Sequence, residues 1–597
     1  MAAAGDQRLS TASAAKGGRR TRLPPTVPHV LTHTAATSNM KVAFLTMTLL
    51  LLPNIRGQNF MSEAREDMFS ATSKLEDLLS LEAEIVRMVE RYLEVAHQRI
   101  TTIRRYVSEY RSLTQGASEG GGMSAPAGEV VAHPVDAYLL LKRLTVEWAS
   151  VEDAMTFHAN ATQELVQRVV VFREKSTFPV MEDLHGAAVA LVRLQDTYNL
   201  NMSTLPAGSF IGVGLTSHEF QSSKSLNARD CLFLGKHAFN KGYYDKAIEW
   251  FEAALNTASH EENSSAPTHE IEPFLKAAVK VHDDVLEKRG PRGSDWQTKA
   301  VPVDEDLASK HKYRQVSDHK FRPKLYQHQS DEEQDDHYAR LCRGERLRPV
   351  EVESSLVCRL VGHSHPHAHG YFSLMPLQLE EMSLDPYIVV LHDFLTERQT
   401  DDIIQRAKPK LATSRHRGPD GGFITSMIRT SKNAWLREID EPDTLLVNLS
   451  KKVEMTTGLH ALRPSAGEDY QVANYGIGGL YVTHTDHLMI NPDLSVYTPW
   501  ERFMGDRMAT FMVYLSDVEA GGATVFPRAG VTIWPKRGSA AFWWNLYRSG
   551  VGDENTRHGG CPVLHGSKWI CNKWIHYNDQ FLQHPCGLNT WDKLTSP

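Results

Sequence analysis

The stretch Gln471–Asp486, QVANYGIGGLYVTHTD, decides the reading. It opens on an apparent strand, Gln471–Tyr475, and closes on the pair His484-Thr-Asp486. Along extended backbone, residues two apart point to one face, so both side chains can reach a single metal. His558 follows 72 residues after Asp486, inside Thr556-Arg557-His558-Gly559-Gly560. Two imidazoles and one carboxylate make the facial triad of non-haem Fe(II), which leaves coordination positions open. Lys568 stands ten residues beyond His558 on the next apparent strand, a fixed cation for a dicarboxylate cosubstrate. A His-x-Asp pair alone is weak in a chain with 28 histidines, where a solvated turn explains it equally well. The distal His, the Lys and a β-rich context make the pattern specific. His487 is a rival ligand, but adjacent residues on a strand face opposite ways. His363, His365, His367 and His369 cluster without a carboxylate in a Pro- and Gly-flanked loop, which reads as solvated.

Working outward, short β-branched and aromatic runs alternate with turn residues from Ser373 onward. They are Tyr387–His392, Gln471–Tyr475, Ala509–Leu515, Val531–Trp534, Ala540–Asn545 and Lys568–His576. This spacing predicts an antiparallel sandwich or barrel, with a helix near Thr400–Ala407 packed outside. Upstream, polar residues and the acidic run Asp331–Asp336 fill 290–338, which reads as linker or surface segment. Residues 228–256 predict helix, turn and helix. Leu234, Gly235, Ala238, Tyr244, Ala247, Phe251 and Ala254 fall as in a tetratricopeptide unit, though no second unit follows Pro267. Leu75 to Tyr110 carries apolar residues at spacings of three and four, an amphipathic helix or coiled coil. Its seam serves either intramolecular packing or self-association. Gly116–Gly128 is a flexible break, and further helices follow to about Leu200.

With 597 residues, 41% hydrophobic and 23% charged, the composition is that of a globular chain of three or four domains. A net charge of −7 gives no basic excess for nucleic acid. The apolar run Val42–Leu52 follows Lys41 and precedes Pro53, too short to span a bilayer and the size of a signal-peptide core. Met40 just before it makes 1–39 an upstream extension, with cleavage expected near Gly57. The secretory pathway follows, with sequons at Asn160, Asn201, Asn263 and Asn448.

At this point the chain resembles the α subunits of collagen-type prolyl 4-hydroxylases, over essentially everything after Met40. The resemblance is carried by QVANYGIGGLY (471–481), HTD (484–486), LSDVEAGGATVFP (515–527), TRHGGCPVLHGSKW (556–569) and NKW (572–574). DLHGAAVALVRLQDTYNL (183–200) resembles that subunit's dimerisation region. The resemblance implies an α+β multidomain chain. An extension and signal peptide cover 1–57, a helical, coiled-coil dimerisation domain 58–205, and a tetratricopeptide-like peptide-substrate-binding domain 206–300. A linker (301–372) then leads to a double-stranded β-helix, or jelly-roll, dioxygenase domain (373–597). It implies His484, Asp486 and His558 as iron ligands and Lys568 as partner of the distal carboxylate of 2-oxoglutarate. Tyr475, Thr524 and Trp574 match pocket positions, with core packing as the competing explanation. Cys342–Cys358 and Cys561–Cys586 match the family's disulfides, leaving Cys231 and Cys571 as thiols.

The implied reaction is Fe(II)- and 2-oxoglutarate-dependent hydroxylation of peptidyl proline at C4 in procollagen-like chains, supported by ascorbate. The implied setting is the lumen of the endoplasmic reticulum, in an α2β2 tetramer with protein disulfide isomerase and no membrane span after signal cleavage. Vertebrate relatives read Tyr-Glu-Pro-His-Phe-Asp-Phe where this chain has Tyr481-Val-Thr-His484-Thr-Asp486-His487, and an alanine pair at Gly559-Gly560. A catalytically silent subunit, or one acting on other secreted peptides, is the alternative. A lysyl hydroxylase would lack the 183–200 motif, and a tetratricopeptide scaffold would leave the triad unexplained.

Overall fold

The computed structural model describes residues 72–115, 148–152, 167, 170–171, 181–215, 217–290, 296–297, 331–362, 369–414, 416–417, 423–424, 430–438, 444–462, 464–489 and 493–594. The expected signal peptide, the break at Gly116–Gly128 and most of the clustered histidines lie outside these residues.

Thirteen of the described strands in the C-terminal part form its two larger sheets: β1 (Cys358–Val361), β2 (Leu377–Leu384), β3 (Tyr387–His392), β4 (Ala412–Thr413), β5 (Lys432–Leu436), β6 (Tyr470–Tyr475), β7 (Tyr481–His484), β8 (Arg507–Tyr514), β9 (Thr524–Phe526), β10 (Val531–Ile533), β11 (Ala540–Trp544), β12 (His558–Gly560) and β13 (Lys568–His576). Hydrogen bonding orders them β1-β2-β3-β11-β8-β13-β6-β5-β4 in a major sheet and β7-β12-β9-β10 in a minor one, with every pair antiparallel. Side chains from both sheets meet in one apolar cluster: Val390, Tyr475, Met512, Tyr514 and Ile570 from the major, Phe526, Val531 and Ile533 from the minor. This two-layer arrangement is compatible with the expected jelly roll. All nine residues of β13 are buried, because it runs centrally between β8 and β6 with both faces covered. The six strands expected from sequence all form, with ends differing by at most two residues.

In chain order the helices used below are α1 (Thr72–Gln115), α2 (Met181–Tyr198), α3 (Ala228–Asn240), α4 (Tyr244–His260), α5 (Thr268–Arg289), α6 (Asp331–Cys342), α7 (Glu397–Ala407) and α8 (Leu445–Thr457). The outer face of the major sheet buries Val389, Phe511 and Phe542 against Ile403 of α7 and Leu449 and Val453 of α8. Asn227 caps α3 in a reciprocal box with Asp230. Gly235 lets α4 come close: a Cβ there would meet the Phe251 ring at 2.5 Å. Beyond Pro267 the chain forms α5, packed on α4. Among the described residues no helix is long and apolar enough to cross a membrane.

Two expectations need correction. The acidic run, expected as linker or surface segment, is the surface of a helix and not a linker: Asp331–Asp336 forms the first turns of α6, with Glu333 and Asp335 exposed, and the helix buries Gln334, Ala339, Leu341 and Cys342. The disulfide pairing also differs. Cys342, at the end of α6, is bonded to Cys561, just past β12, and not to Cys358. Cys358 sits on the exposed edge strand β1 and Cys586 near the exposed C-terminus, and both are free thiols. The reason is placement. Helix α6 docks on the minor sheet, where the Tyr338 hydroxyl donates to the Gly560 carbonyl at 2.9 Å, so Cys342 arrives beside Cys561. Cys231 and Cys571 are buried thiols, as the resemblance implies.

Candidate active site

His484 ends β7 and His558 begins β12, and the two are directly opposed in the antiparallel ladder. Asp486 lies just beyond the end of β7. Its Oδ1 is 3.8 Å from His484 Nε2 and its Oδ2 is 3.7 Å from His558 Nε2. Among the described residues this is the only group of three or more metal-ligating side chains, its ligand atoms all within 4.8 Å of one another. Imidazole and carboxylate donors bind divalent ions at about 2.0–2.2 Å, so a small contraction brings all three onto one ion.

Each ligand is oriented from behind. Nδ1 of His484 is 2.9 Å from the Val482 carbonyl and Nδ1 of His558 is 2.9 Å from the Thr556 carbonyl. An Nδ1–H donated there turns the Nε2 lone pair toward the site. Thr510 donates to Asp486 Oδ2 at 2.7 Å and accepts from Asn545 at 2.9 Å. Burial raises the Asp486 pKa, but the imidazoles of His558 and His484 outweigh it and hold the carboxyl well below its usual range. The Tyr481 ring stacks on His484 at 3.7 Å, and Phe526 and Trp543 wall His558. The donor set, its ionised carboxylate and its dry walls fit Fe(II).

Lys568 begins β13 and is fully buried, its ammonium donating to Thr524 Oγ1 at 3.3 Å. Thr524 also accepts from the Tyr514 hydroxyl at 2.9 Å, and the Tyr475 ring lies 5.7 Å from Nζ. Among the described residues no carboxylate pairs with this cation, and burial alone pushes its pKa down to about 7. A buried ammonium beside two hydroxyls fits the far carboxylate of a dicarboxylate such as 2-oxoglutarate.

The structure therefore gathers His484, Asp486 and His558 into one cluster and places Tyr475 and Thr524 beside Lys568. Trp574 shares a face of β13 with Lys568, six residues on and about 20 Å along the strand, directly opposite Thr510, the residue that bonds Asp486. There its ring lies under the Arg507 guanidinium at 3.8 Å. Sequence reading missed Thr510, Asn545, Tyr514 and Tyr481. For Thr510 a signal existed, as a lone polar residue inside the run Met508–Leu515.

Residues 71–212 match the family described as the N-terminal region of the prolyl 4-hydroxylase α subunit, and residues 470–576 the 2OG-Fe(II) oxygenase superfamily. Prolyl 4-hydroxylase subunit alpha-2 of Gallus gallus is 34% identical over 89% of this chain and 97% of its own. Subunit alpha-1 of Homo sapiens is 33% identical over 88% and 97%, and subunit alpha-2 of Caenorhabditis elegans 32% identical over 88% and 94%. The second matched region spans His484, Asp486, His558 and Lys568, and the likeness runs along nearly the whole chain. The chain belongs to the family of prolyl 4-hydroxylase α subunits, 2-oxoglutarate- and Fe(II)-dependent oxygenases.

Proposed function

We propose that this chain hydroxylates peptidyl proline at C4 in collagen-like sequences, with His484, Asp486 and His558 holding Fe(II) and Lys568 anchoring 2-oxoglutarate. The observation that carries this is a three-ligand cluster with, two residues past His558 on β12, Gly560, where a Cβ would lie 3.8 Å from the buried Lys568 ammonium, a cation with no acid partner among the described residues. Fe(II) held by His484, Asp486 and His558 would supply the oxidative chemistry of the overall reaction, in which 2-oxoglutarate and dioxygen are converted to succinate and CO2 with one oxygen atom placed on proline as hydroxyl. The chain's own residues do the rest. Val482 and Thr556 carbonyls fix the imidazoles, and Thr510 fixes Asp486 so that its oxygens face the metal. Lys568 and Thr524 set the depth at which the cosubstrate sits. The aromatic walls of Tyr481, Phe526 and Trp543 exclude water, which would otherwise divert the oxidant. Ascorbate would serve as the supporting reductant.

The same reading assigns 206–300, with its packed helices α3 to α5, to peptide substrate, and 58–205 to dimerisation. It places the protein in the endoplasmic reticulum lumen behind a signal peptide within 1–57, in an α2β2 assembly with protein disulfide isomerase. The test is co-production with that isomerase and an assay with Fe(II), 2-oxoglutarate, ascorbate and a Pro-Pro-Gly repeat peptide. Mass spectrometry should find 4-hydroxyproline with the native chain and none with His558→Ala. Succinate release that needs the triad but leaves the peptide unmodified would move the substrate to another secreted protein. No turnover by a folded, iron-loaded complex would make the chain a silent subunit.

A further inference from the structure

We propose that His487 and Glu554 form a clasp that positions the two halves of the metal site; this rests on reading His484, Asp486 and His558 as its ligands. Those ligands arrive on two separate stretches, 484–486 and 558, and neither Asp486 nor the approach to His558 lies within the ladder that joins β7 to β12. Something else must hold these ends together. His487 follows Asp486 with its ring turned toward the 552–557 segment, and it is only 5% exposed. Its Nε2 faces Glu554 Oε1 at 3.5 Å. Gly552 makes room for this ring: a Cβ there would come within 2.6 Å of it.

Glu554 is the node of a wider set of contacts. Its Oε2 faces Arg528 at 3.5 Å and Arg557 Nε at 3.7 Å. Arg528 donates to the Glu554 carbonyl at 3.1 Å and to Gln334 of α6 at 3.3 Å. Arg557, adjacent to His558, donates to the carbonyl of Thr483, adjacent to His484, at 3.0 Å. So the carboxylate draws His487, next to one ligand, and Arg557, next to another, onto one point. His487→Phe keeps a ring in the space over Gly552 and removes only the polar contact. Glu554→Gln cuts the same contact from the other side at constant volume.

The test uses the full chain co-produced with protein disulfide isomerase, stripped of metal and titrated with Co(II) as a spectroscopic probe, with the metal-free melting temperature recorded for each variant. His487→Phe and Glu554→Gln should each weaken Co(II) binding about tenfold, the lower end of what outer contacts contribute to a metal site. The double variant should bind no worse than the weaker single one, because one contact is shared. At saturating Fe(II) kcat should recover while the Fe(II) requirement stays raised, which a general loss of stability does not produce. Folded single variants that bind Co(II) within about twofold of the native chain overturn the clasp, whatever happens to their melting. If His487→Phe does not fold, Glu554→Gln decides by the same criterion. His558→Ala separates the two layers of the argument. Co(II) binding retained there overturns the ligand assignment and the clasp with it, while binding lost there but intact in the clasp variants removes the clasp alone.

Discussion

Lys568 holds an ammonium where water cannot solvate it, and its pKa falls to about 7 because burial penalises the charged form. In its proposed role a dicarboxylate cosubstrate would bind the protonated form, so binding and protonation would support each other. With a value near 7, the protonated fraction of the cosubstrate-free enzyme falls from about nine-tenths at pH 6 to about one-tenth at pH 8. The KM for 2-oxoglutarate should therefore rise severalfold between those pH values and level off below pH 6; a flat profile would place the cosubstrate's charge elsewhere. Lys568→Ala should raise that KM by roughly tenfold to a hundredfold, the worth of a charged hydrogen bond, with a smaller change in kcat. Thr510 acts one step further out. Thr510→Val removes the donor to Asp486 and leaves Asn545 without its acceptor, so metal affinity should drop by about tenfold while the fold survives. Equilibrium titration of the metal-free protein measures it.

At the scale of elements, the bond from Cys342 to Cys561 ties α6 to the strand that begins with His558, across 219 residues of chain. Peptide mapping without reduction should find that pair, and Cys358 and Cys586 should react with maleimide while Cys231 and Cys571 stay protected. Paired Ala replacements of Cys342 and Cys561 should cost about 2–4 kcal/mol in denaturant unfolding, as long-loop disulfides do. The Cys342–Cys561 pairing could not be read in advance, since six cysteines allow many pairings and only the docking of α6 selects one. Helix α6 was itself hidden. Its buried side includes Gln334, Leu341 and Cys342 behind an acidic first turn, so one face carries a helical period that a polar composition masks. The strands were legible because apolar runs such as Lys568–His576 are bounded by turn residues. The ligands were legible because a His-x-Asp at the end of a strand meets an opposing His in the ladder. Even spacing put Trp574 on the face of Lys568, but only the ladder with β8 sets it opposite Thr510.

For the whole molecule, the decisive feature is a core that does not respect the boundary between helices and sheets. Ala188, Val192 and Tyr198 of α2, Trp250 and Phe251 of α4, and Leu341 and Cys342 of α6 belong to the same apolar cluster as Ala523, Val525, Cys561 and Leu564. Helix α2 meets the loop that leads into the proposed metal ligands. Gly478, in a left-handed conformation, presses on Ala190, where a Cβ would come within 2.6 Å. The Tyr198 hydroxyl donates to the Pro562 carbonyl at 2.5 Å, four residues past His558. The sequence motif that resembles a dimerisation region thus also braces the oxygenase from within its own chain. Tyr198→Phe leaves the ring in place and removes one of two donors to the Pro562 carbonyl, which keeps the Gly522 N–H at 3.0 Å, so unfolding free energy should fall by about 0.5–1.5 kcal/mol. The larger consequence concerns dissection. A chain starting at residue 331 keeps all four site residues and both sheets, but lays bare the faces that α2 to α5 cover. It should aggregate or melt far below the full chain, and adding residues 181–290 back as a separate polypeptide should restore solubility. If residues 331–597 alone melt cooperatively near the full-length temperature, the shared core contributes little, and the oxygenase is an independent domain after all.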